Sequence, residues 1–365
     1  MINHQVVLLG GQIIPAYIGI KERKPDFVHI LYTKESLYQR KRLEKIISQC
    51  SVNSYQVSPY DYSSISDIVT QIICDNEGCA FELNLTGGTK LMALASQEVF
   101  KTLDCFSFYI DQNQNFIDIT SGNKNKINFK LKTKEFLALS GHDEIMSSSL
   151  RSFTLKEKEL AKSIFELRKK RLGLSKLFKL FRNLKIDSDL KEYHFKNKEF
   201  NISWQHNRLS VEAPKFNIKT KGDSVFKILT SGLWWEIIVA DSISSWKFAY
   251  ETSMSLIIKS NTNSKLDKNE IDILINTGQK LLFIECKSGR VTQSDINKMR
   301  AIGKFYGGMS SKSILISFYK PIPQLIEKCH DFGIELFYIE EKKGKHLNLE
   351  SISKKLDLML SKLEL

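Results

Sequence analysis

At 365 residues the chain is longer than one ordinary domain and predicts two, with a connecting piece between them. Its 42% apolar and 26% charged residues supply ample core and exclude a disordered or collagen-like chain. The 54 Lys and Arg residues outnumber the 41 Asp and Glu to a formal net charge of +13, which suits a polyanionic partner such as nucleic acid.

In chain order, the opening MINHQVVLLGG reads as a buried strand entering a glycine turn; a signal peptide would need a longer apolar core and a cleavage site. Short β-rich runs follow at Gln5–Leu9, Phe27–Tyr32, Ser54–Val57, Ala80–Leu85 and Cys105–Ile110, with helix-like segments near 15–24, 35–48, 63–75 and 89–102. Alternation at this spacing implies right-handed βαβ crossovers and a mainly parallel sheet covered on both faces. Phe116–Ile119 and Ile127–Leu131, parted by the polar SGNKNK stretch, predict a β-hairpin, and Ser147–Ser149 marks the exit from this domain. The basic stretch 154–182 places apolar residues at helical spacing. It reads as an amphipathic helix packed on a neighbour or as a helix facing nucleic acid.

From about residue 223 the pattern changes to a helix (Ile228–Ser245), three strands (Glu251–Ile258, Glu270–Ile275, Leu281–Lys287) and a helix (Gln293–Tyr306). A strand (Ser313–Ile316), a helix (Gln324–Cys329), a strand (Glu335–Ile339) and a terminal helix complete a second α/β unit with its own sheet. No apolar run reaches membrane-spanning length, so no membrane partner is expected. The six cysteines (Cys50, Cys74, Cys79, Cys105, Cys286, Cys329) form no CxxC pair and have no histidines at zinc spacing. Buried free thiols in a reducing, cytoplasmic setting are the expectation.

The segment EIDILINTGQKLLFIECKSG, from Glu270 to Gly289, carries chemistry. Two apolar β-runs flank a polar, glycine-containing NTGQK turn, which predicts a hairpin. Folding it about the middle of Thr277–Lys280 pairs Asn276 with Leu281, Ile275 with Leu282, Leu274 with Phe283, Ile273 with Ile284 and Asp272 with Glu285. Two carboxylates opposed in this way repel unless a cation sits between them. Lys287, two residues past Glu285, points to the same face while Cys286 points to the other. Hard oxygen ligands of this kind hold Mg²⁺ or Mn²⁺, which lowers the pKa of a bound water and offsets charge on a phosphate. An adjacent ammonium stabilises the transition state further. A surface hairpin bearing an Asp–Lys–Glu salt bridge is the plainer alternative, but these strands are apolar on both faces, where charges are otherwise excluded.

The second informative motif is ELNLTGGTKLMALASQEVF, residues 82–100. An apolar strand ends at Leu85, and Thr86-Gly87-Gly88-Thr89-Lys90 leads into an apolar helix. Glycines let backbone N–H groups approach a ligand, and a helix N-terminus offers unpaired donors with a partial positive charge. The segment lacks GxxxxGK[ST], so it is not a Walker A loop and does not imply ATP hydrolysis. A tight turn with an N-cap threonine would explain it equally well locally. However, Gly10-Gly11-Gln12 and Thr33-Lys34-Glu35-Ser36 also follow parallel strands, and the three loops share the sheet edge where open α/β sheets bind ligands.

The Asp272/Glu285/Lys287 set resembles the PD-(D/E)xK nuclease superfamily, in which an acidic residue on one strand precedes (D/E)-x-K on the next. Its context matches too: an upstream helix, GLWWEIIVADSI, bears Glu236, and another helix follows the hairpin. Glu236 resembles the additional acidic metal ligand of many members, Glu270 is a second-choice ligand, and Trp234 and Trp235 are expected in the core. The TGGTK loop on its domain looks like the CARF (CRISPR-associated Rossmann fold) domain, and KTKEFLALSGHDE (132–144) is typical of that family. The combination resembles the cyclic-oligoadenylate-activated nucleases of type III CRISPR defence.

The resemblance implies an α/β protein with an N-terminal Rossmann-like CARF domain at 1–145, a connecting region at 146–222, and a restriction-endonuclease-like domain at 223–365. It implies that Thr86, Gly87, Gly88, Thr89 and Lys90, with Gly10, Gly11 and Gln12, contact the phosphates of cyclic tetra-adenylate across a homodimer. It further implies a catalytic site of Asp272, Glu285, Lys287 and Glu236, with Mn²⁺ or Mg²⁺ on Asp272, Glu285 and Glu236, that cleaves DNA and/or RNA. Two rivals stay open: a ligand-responsive nucleic-acid-binding regulator using the 154–182 stretch, and a nuclease with a different trigger. A HEPN-type RNase needs R-x4–6-H in the second half; that spacing occurs only at Arg23…His29, in the first.

Overall fold

Parallel strands whose two faces are both covered must be apolar on both, as the VVLL of the first strand is. In the computed structural model, residues 1–111, 115–142, 145–169, 174–183, 192–258, 269–307, 311–339 and 349–362 are described. They form two compact units, the first ending at residue 142 and the second beginning at 145.

The first unit comprises β1 (Asn3–Leu9), α1 (Ile14–Arg23), β2 (Phe27–Tyr32), α2 (Leu37–Ile46), β3 (Ser51–Gln56), α3 (Tyr62–Cys74) and β4 (Ala80–Asn84). Then follow α4 (Lys90–Thr102), β5 (Phe106–Ile110), β6 (Asn115–Asp118), β7 (Lys124–Lys126) and α5 (Thr133–Leu139). The sheet order is β3-β2-β1-β4-β5-β6-β7. The first five strands run parallel, and β6 and β7 close the sheet antiparallel. Val6, Leu8, Leu31 and Leu83 pack under Ile65, Val69 and Phe100 of α3 and α4.

One arm of the predicted hairpin is displaced: β6 pairs with Lys124–Lys126, not with Ile127–Leu131. The Asp118 carboxylate accepts the backbone N–H groups of Thr120 and Ser121, and Gly122 turns with φ +72°. That turn is tight enough for pairing to begin within the polar stretch, leaving Ile127 and Leu131 to enter the core.

The second unit starts with β8 (Ile145–Ser148), α6 (Leu155–Lys169) and α7 (Leu174–Asn183). It continues through β9 (Glu192–Lys196), β10 (Asn201–Gln205), β11 (Arg208–Ala213) and β12 (Phe216–Lys221), a separate antiparallel sheet in the order β12-β11-β10-β9. Next come α8 (Val225–Thr230), α9 (Leu233–Ile243), β13 (Glu251–Ile258), β14 (Asn269–Asn276), β15 (Leu281–Lys287) and α10 (Gln293–Ile302). The unit ends with β16 (Ser311–Ser317), α11 (Pro323–Asp331), β17 (Ile334–Tyr338) and α12 (Leu349–Lys362). Its main sheet has the order β17-β16-β15-β14-β13-β8, with β15, β16 and β17 parallel and the other neighbours antiparallel.

The helix expected over Ile228–Ser245 is broken at Ser231–Gly232. The Ser231 hydroxyl donates to Lys227 O and accepts from Leu233 N, closing one helix and opening the next. Residues Leu160, Ala161, Ile164 and Phe165 of α6 and Leu177 and Phe181 of α7 are buried in one cluster with α9 and the main sheet. The Arg168 guanidinium lies over the Trp234 and Phe318 rings, at 5.3 and 5.7 Å from their centroids. The described part of the basic stretch is therefore packed on neighbours; residues 170–173 within it lie outside the described residues. All six cysteines are free, but only Cys286 and Cys329 are buried.

Glu157 ties this stretch to the turn before α8. It is 2% exposed, accepts from the Thr154 N–H and hydroxyl, and accepts from the Ser224 N–H at 2.6 Å. Glu157→Ala strands those donors and is expected to cost about 2 kcal/mol or more. Urea unfolding followed by tryptophan fluorescence checks this, because all 4 tryptophans lie in the second unit.

Candidate functional site

The predicted hairpin forms in the predicted register. Asn276–Leu281, Ile275–Leu282, Leu274–Phe283 and Ile273–Ile284 are the observed pairs, and Asp272 and Glu285 lie one step beyond. The turn is closed by Thr277 N donating to Lys280 O, with Gly278 at φ +87°. Glu285 is 1% exposed on the central strand of the main sheet. Its Oε1 is 2.9 Å from the Lys287 ammonium and its Oε2 is 2.8 Å from the Lys298 ammonium of α10. Lys287 also pairs with Asp295 Oδ1 at 3.0 Å, while Asp295 caps α10 through Thr292. Asp272 Oδ2 accepts the Cys286 N–H at 2.7 Å.

Glu236 is brought in by α9. Trp234 and Trp235 are fully buried beside it, and the Trp235 indole donates to Ile316 O at 3.1 Å, which fixes the helix on the sheet. Burial, and then the charges of Asp272, Glu270 and Glu285, push the Glu236 carboxyl up to about 8. Burial and the Glu285 charge push Asp272 up to about 7, against the Cys286 N–H and the two lysines. Burial alone would lower Lys287, but Glu285 and Asp295 raise it, so its ammonium stays charged. Glu270 is exposed at the rim and acts on Glu236 through its charge.

The structure brings Glu236, Asp272, Glu285 and Lys287 together in one cluster, and adds Lys298 and Asp295, which the sequence did not single out. Their signal was weak: two charges at i and i+3 on a predicted helix look like an ordinary solvated face. The donor set suits a hard cation: three carboxylates crowd together, and burial first and their mutual charge second push two of them, Glu236 and Asp272, up. Among the described residues, no three acidic side chains form a ready-made metal cage. The Glu285 oxygens face ammoniums, and an Asp272 oxygen faces a backbone N–H. Mg²⁺ and Mn²⁺ need only one or two carboxylates and complete their shell with water, so the residues fit such an ion.

In the first unit, the loops after β1 and β4 meet where the strand order reverses, between those two neighbours. A Cβ on Gly10 would lie 3.1 Å from Gly88 N, and one on Gly87 would lie 2.0 Å from Leu8 O. These glycines are required by the contact of the two loops, and Gly88 has φ +73° as well. The threonine hydroxyls are engaged internally: Thr86 accepts the Ile110 N–H at 2.8 Å, and Thr89 donates to Pro59 O and caps α4 through Met92 N. Gly11 and Gln12, in the loop after β1, and Lys90, at the start of α4, are exposed. Thr33 and Ser36, in the third loop, cap one another and are buried.

A two-unit protein with a glycine-lined switch point in one unit and a buried carboxylate–lysine cluster in the other has the architecture of a ligand-sensing nuclease. Residues 5–136 match the family described as the Card1 CARF domain, and residues 223–354 match the Card1-like endonuclease domain. The chain thus belongs to the CARF-domain endonucleases, with both domains of the Card1 type. Among solved structures it resembles Can2 from Sulfobacillus thermosulfidooxidans, in complex with cyclic tetra-adenylate, at TM-score 0.73 and 18% identity over 100% of this chain and 99% of that one. Protein VC1899 from Vibrio cholerae gives TM-score 0.78 at 14% identity over 99% and 98% of the two chains. A type III CRISPR defence DNA nuclease activated by cyclic oligoadenylate gives 0.60 at 14% identity, over 99% of this chain and 52% of that one. No curated protein matches the chain in sequence. Among the described residues no helix is long and apolar enough to cross a membrane.

Two outcomes follow from this geometry. Gly87→Ala forces a Cβ onto the Leu8 carbonyl, and a loss of about 2 kcal/mol or more is expected. Gly11→Ala, with nothing within 4 Å, should melt like wild type. For Glu236, a folded-state pKa near 8 lies above the unfolded value near 4.5, so the folded protein binds the proton more tightly. The stability this contributes is full below about 4.5 and is lost as pH rises to about 8. In EDTA, Glu236→Gln should therefore raise Tm by a few degrees, roughly 1 kcal/mol or more, at pH 8 and leave it little changed at pH 4.5.

Proposed function

We propose that this protein is a metal-dependent nuclease of type III CRISPR antiviral defence, idle until a cyclic oligoadenylate binds its CARF domain. The observation that carries the nuclease reading is the burial of Glu285 between two lysines, beside Asp272 and Glu236. No structural need explains three carboxylates crowded at the end of an apolar sheet, where each costs free energy. A DNA- or RNA-binding regulator would have no use for them.

Mn²⁺ or Mg²⁺ held by Asp272 and Glu285, with Glu236 assisting, would supply an activated water and offset charge on the scissile phosphate. Lys287 holds its proton, stays cationic and lies on the Glu285 side of the cluster, where it stabilises charge developing on the phosphate. Asp295 fixes the ammonium from the other side and so sets its direction. The formal charge of +13 adds sequence-independent phosphate affinity that weakens with salt.

For the sensor, support comes from the Card1-type CARF match and from the meeting of the two glycine loops at the switch point. Exposed Lys90, Gly11 and Gln12 would meet the phosphates of cyclic tetra-adenylate. With both threonine hydroxyls engaged internally, Thr86 and Thr89 would act through their place in the loop and Gly87 and Gly88 through its close packing. A homodimer would present two such loops to one two-fold ring. Ligand binding would then shift the population towards a form whose nuclease sites accept DNA or RNA.

The test is cleavage of DNA and RNA with Mn²⁺ or Mg²⁺, with and without cyclic tetra-adenylate. Wild type should cleave only with both metal and ring. Glu285→Gln and Lys287→Met should lose about 10²-fold or more of the activated rate. Lys90→Ala should need far more ring for the same rate. Undiminished cleavage by Glu285→Gln protein would remove the site, and ring-independent cleavage would remove the sensor.

A further inference from the structure

The two lysines on Glu285 are not equivalent. Lys287 is shared between Glu285 and Asp295, so its ammonium keeps a carboxylate partner if Glu285 is taken by another cation. Lys298 has Glu285 as its ion-pair partner and reaches in from α10, thirteen residues further on. The Lys298 ammonium meets Oε2, the Glu285 oxygen that Lys287 does not engage. A divalent cation held by Glu285 and Asp272 would compete with it for that oxygen.

We infer that Lys298 is the resident counter-ion of the nuclease site, so that loading the metal is an exchange of its ammonium for a divalent cation on Glu285. The inference rests on the metal-dependent reading of the site. Electrostatics supply the reason for such a device. Burying a carboxylate is costly unless it is paired, and here two ammoniums meet the two oxygens of Glu285, which is 1% exposed. Each Glu285 oxygen is directed at a lysine, so a divalent cation reaching Glu285 must displace one of them. The Lys298 side chain is 32% exposed on a four-carbon stem, so it can leave Glu285 for solvent without moving the helix. Exchange costs the metal the ion pair it displaces, which weakens its binding to the unengaged enzyme.

The experiment is Mn²⁺ binding to full-length protein without nucleic acid or ring, read at constant pH from the electron paramagnetic resonance signal of free Mn²⁺. Lys298→Met and Lys298→Gln remove the competing charge, and each should bind Mn²⁺ about tenfold more tightly than wild type. Lys298→Arg keeps a cation and should stay close to wild type. Two neutral variants guard against one of them folding poorly, and circular dichroism confirms the fold of each. If Lys298 merely orients Glu285 for the metal, both neutral variants bind Mn²⁺ equally or more weakly, and that result overturns the inference while leaving the nuclease reading intact. Asp272→Asn separates the two readings: it should abolish binding, and wild-type affinity in this variant would overturn both.

Discussion

A carboxylate removed from water must be neutralised where it stands, and in this protein Glu285 is so placed near the end of a strand whose preceding residues, Leu281–Ile284, are all apolar. Two ammoniums meet its two oxygens, one from its own strand and one from the following helix. The local architecture serves that arrangement. The hairpin register sets Asp272 beside it, and α10 carries both Lys298 and the Asp295 that steadies Lys287. The Trp235–Ile316 hydrogen bond and the double-tryptophan packing hold α9 so that Glu236 enters the same field. Burial first, and the neighbouring carboxylate charges second, push the Glu236 and Asp272 carboxyls up.

The first unit answers a different constraint, the close approach of two backbone loops. Gly87 and Gly88 let the β4–α4 turn lie against Leu8 and Gly10, so the loops following neighbouring strands form one lip. Side chains that look like ligand contacts in the sequence hold that lip together: Thr86 binds β5 and Thr89 binds the loop at Pro59. On the proposed function this rigidity is useful. A ring that binds the CARF domain shifts an equilibrium only by its difference in affinity for two states, and a pre-formed lip loses less binding energy to ordering.

Much of this was legible in the chain because short-range physics decides it. The strand–helix alternation, the hairpin register about Thr277–Lys280 and the glycine turn after β4 all rest on neighbouring residues. The four-stranded sheet β9–β12 was also written locally, as Ile202 and Trp204, Leu209 and Val211, each alternating with polar residues. Its strands are short and its outer face so charged that the alternation passed for a nondescript connector. Within 146–222, the described residues of β8, α6 and α7 join the sheet or core of the second unit, which no local pattern shows.

Sequence by itself determined most elements of the two α/β sheets and the acidic pair on the hairpin, because strand periodicity and turn chemistry act over a few residues. Only the tertiary structure decided which groups share the field of Glu285. Lys298 lies thirteen residues away and Glu236 on an earlier helix, and their meeting depends on how α9 and α10 pack on the sheet. It also decided that Gly87 answers to Leu8 and that Thr86 answers to Ile110. Those are contacts between distant segments, and no spacing along the chain encodes them.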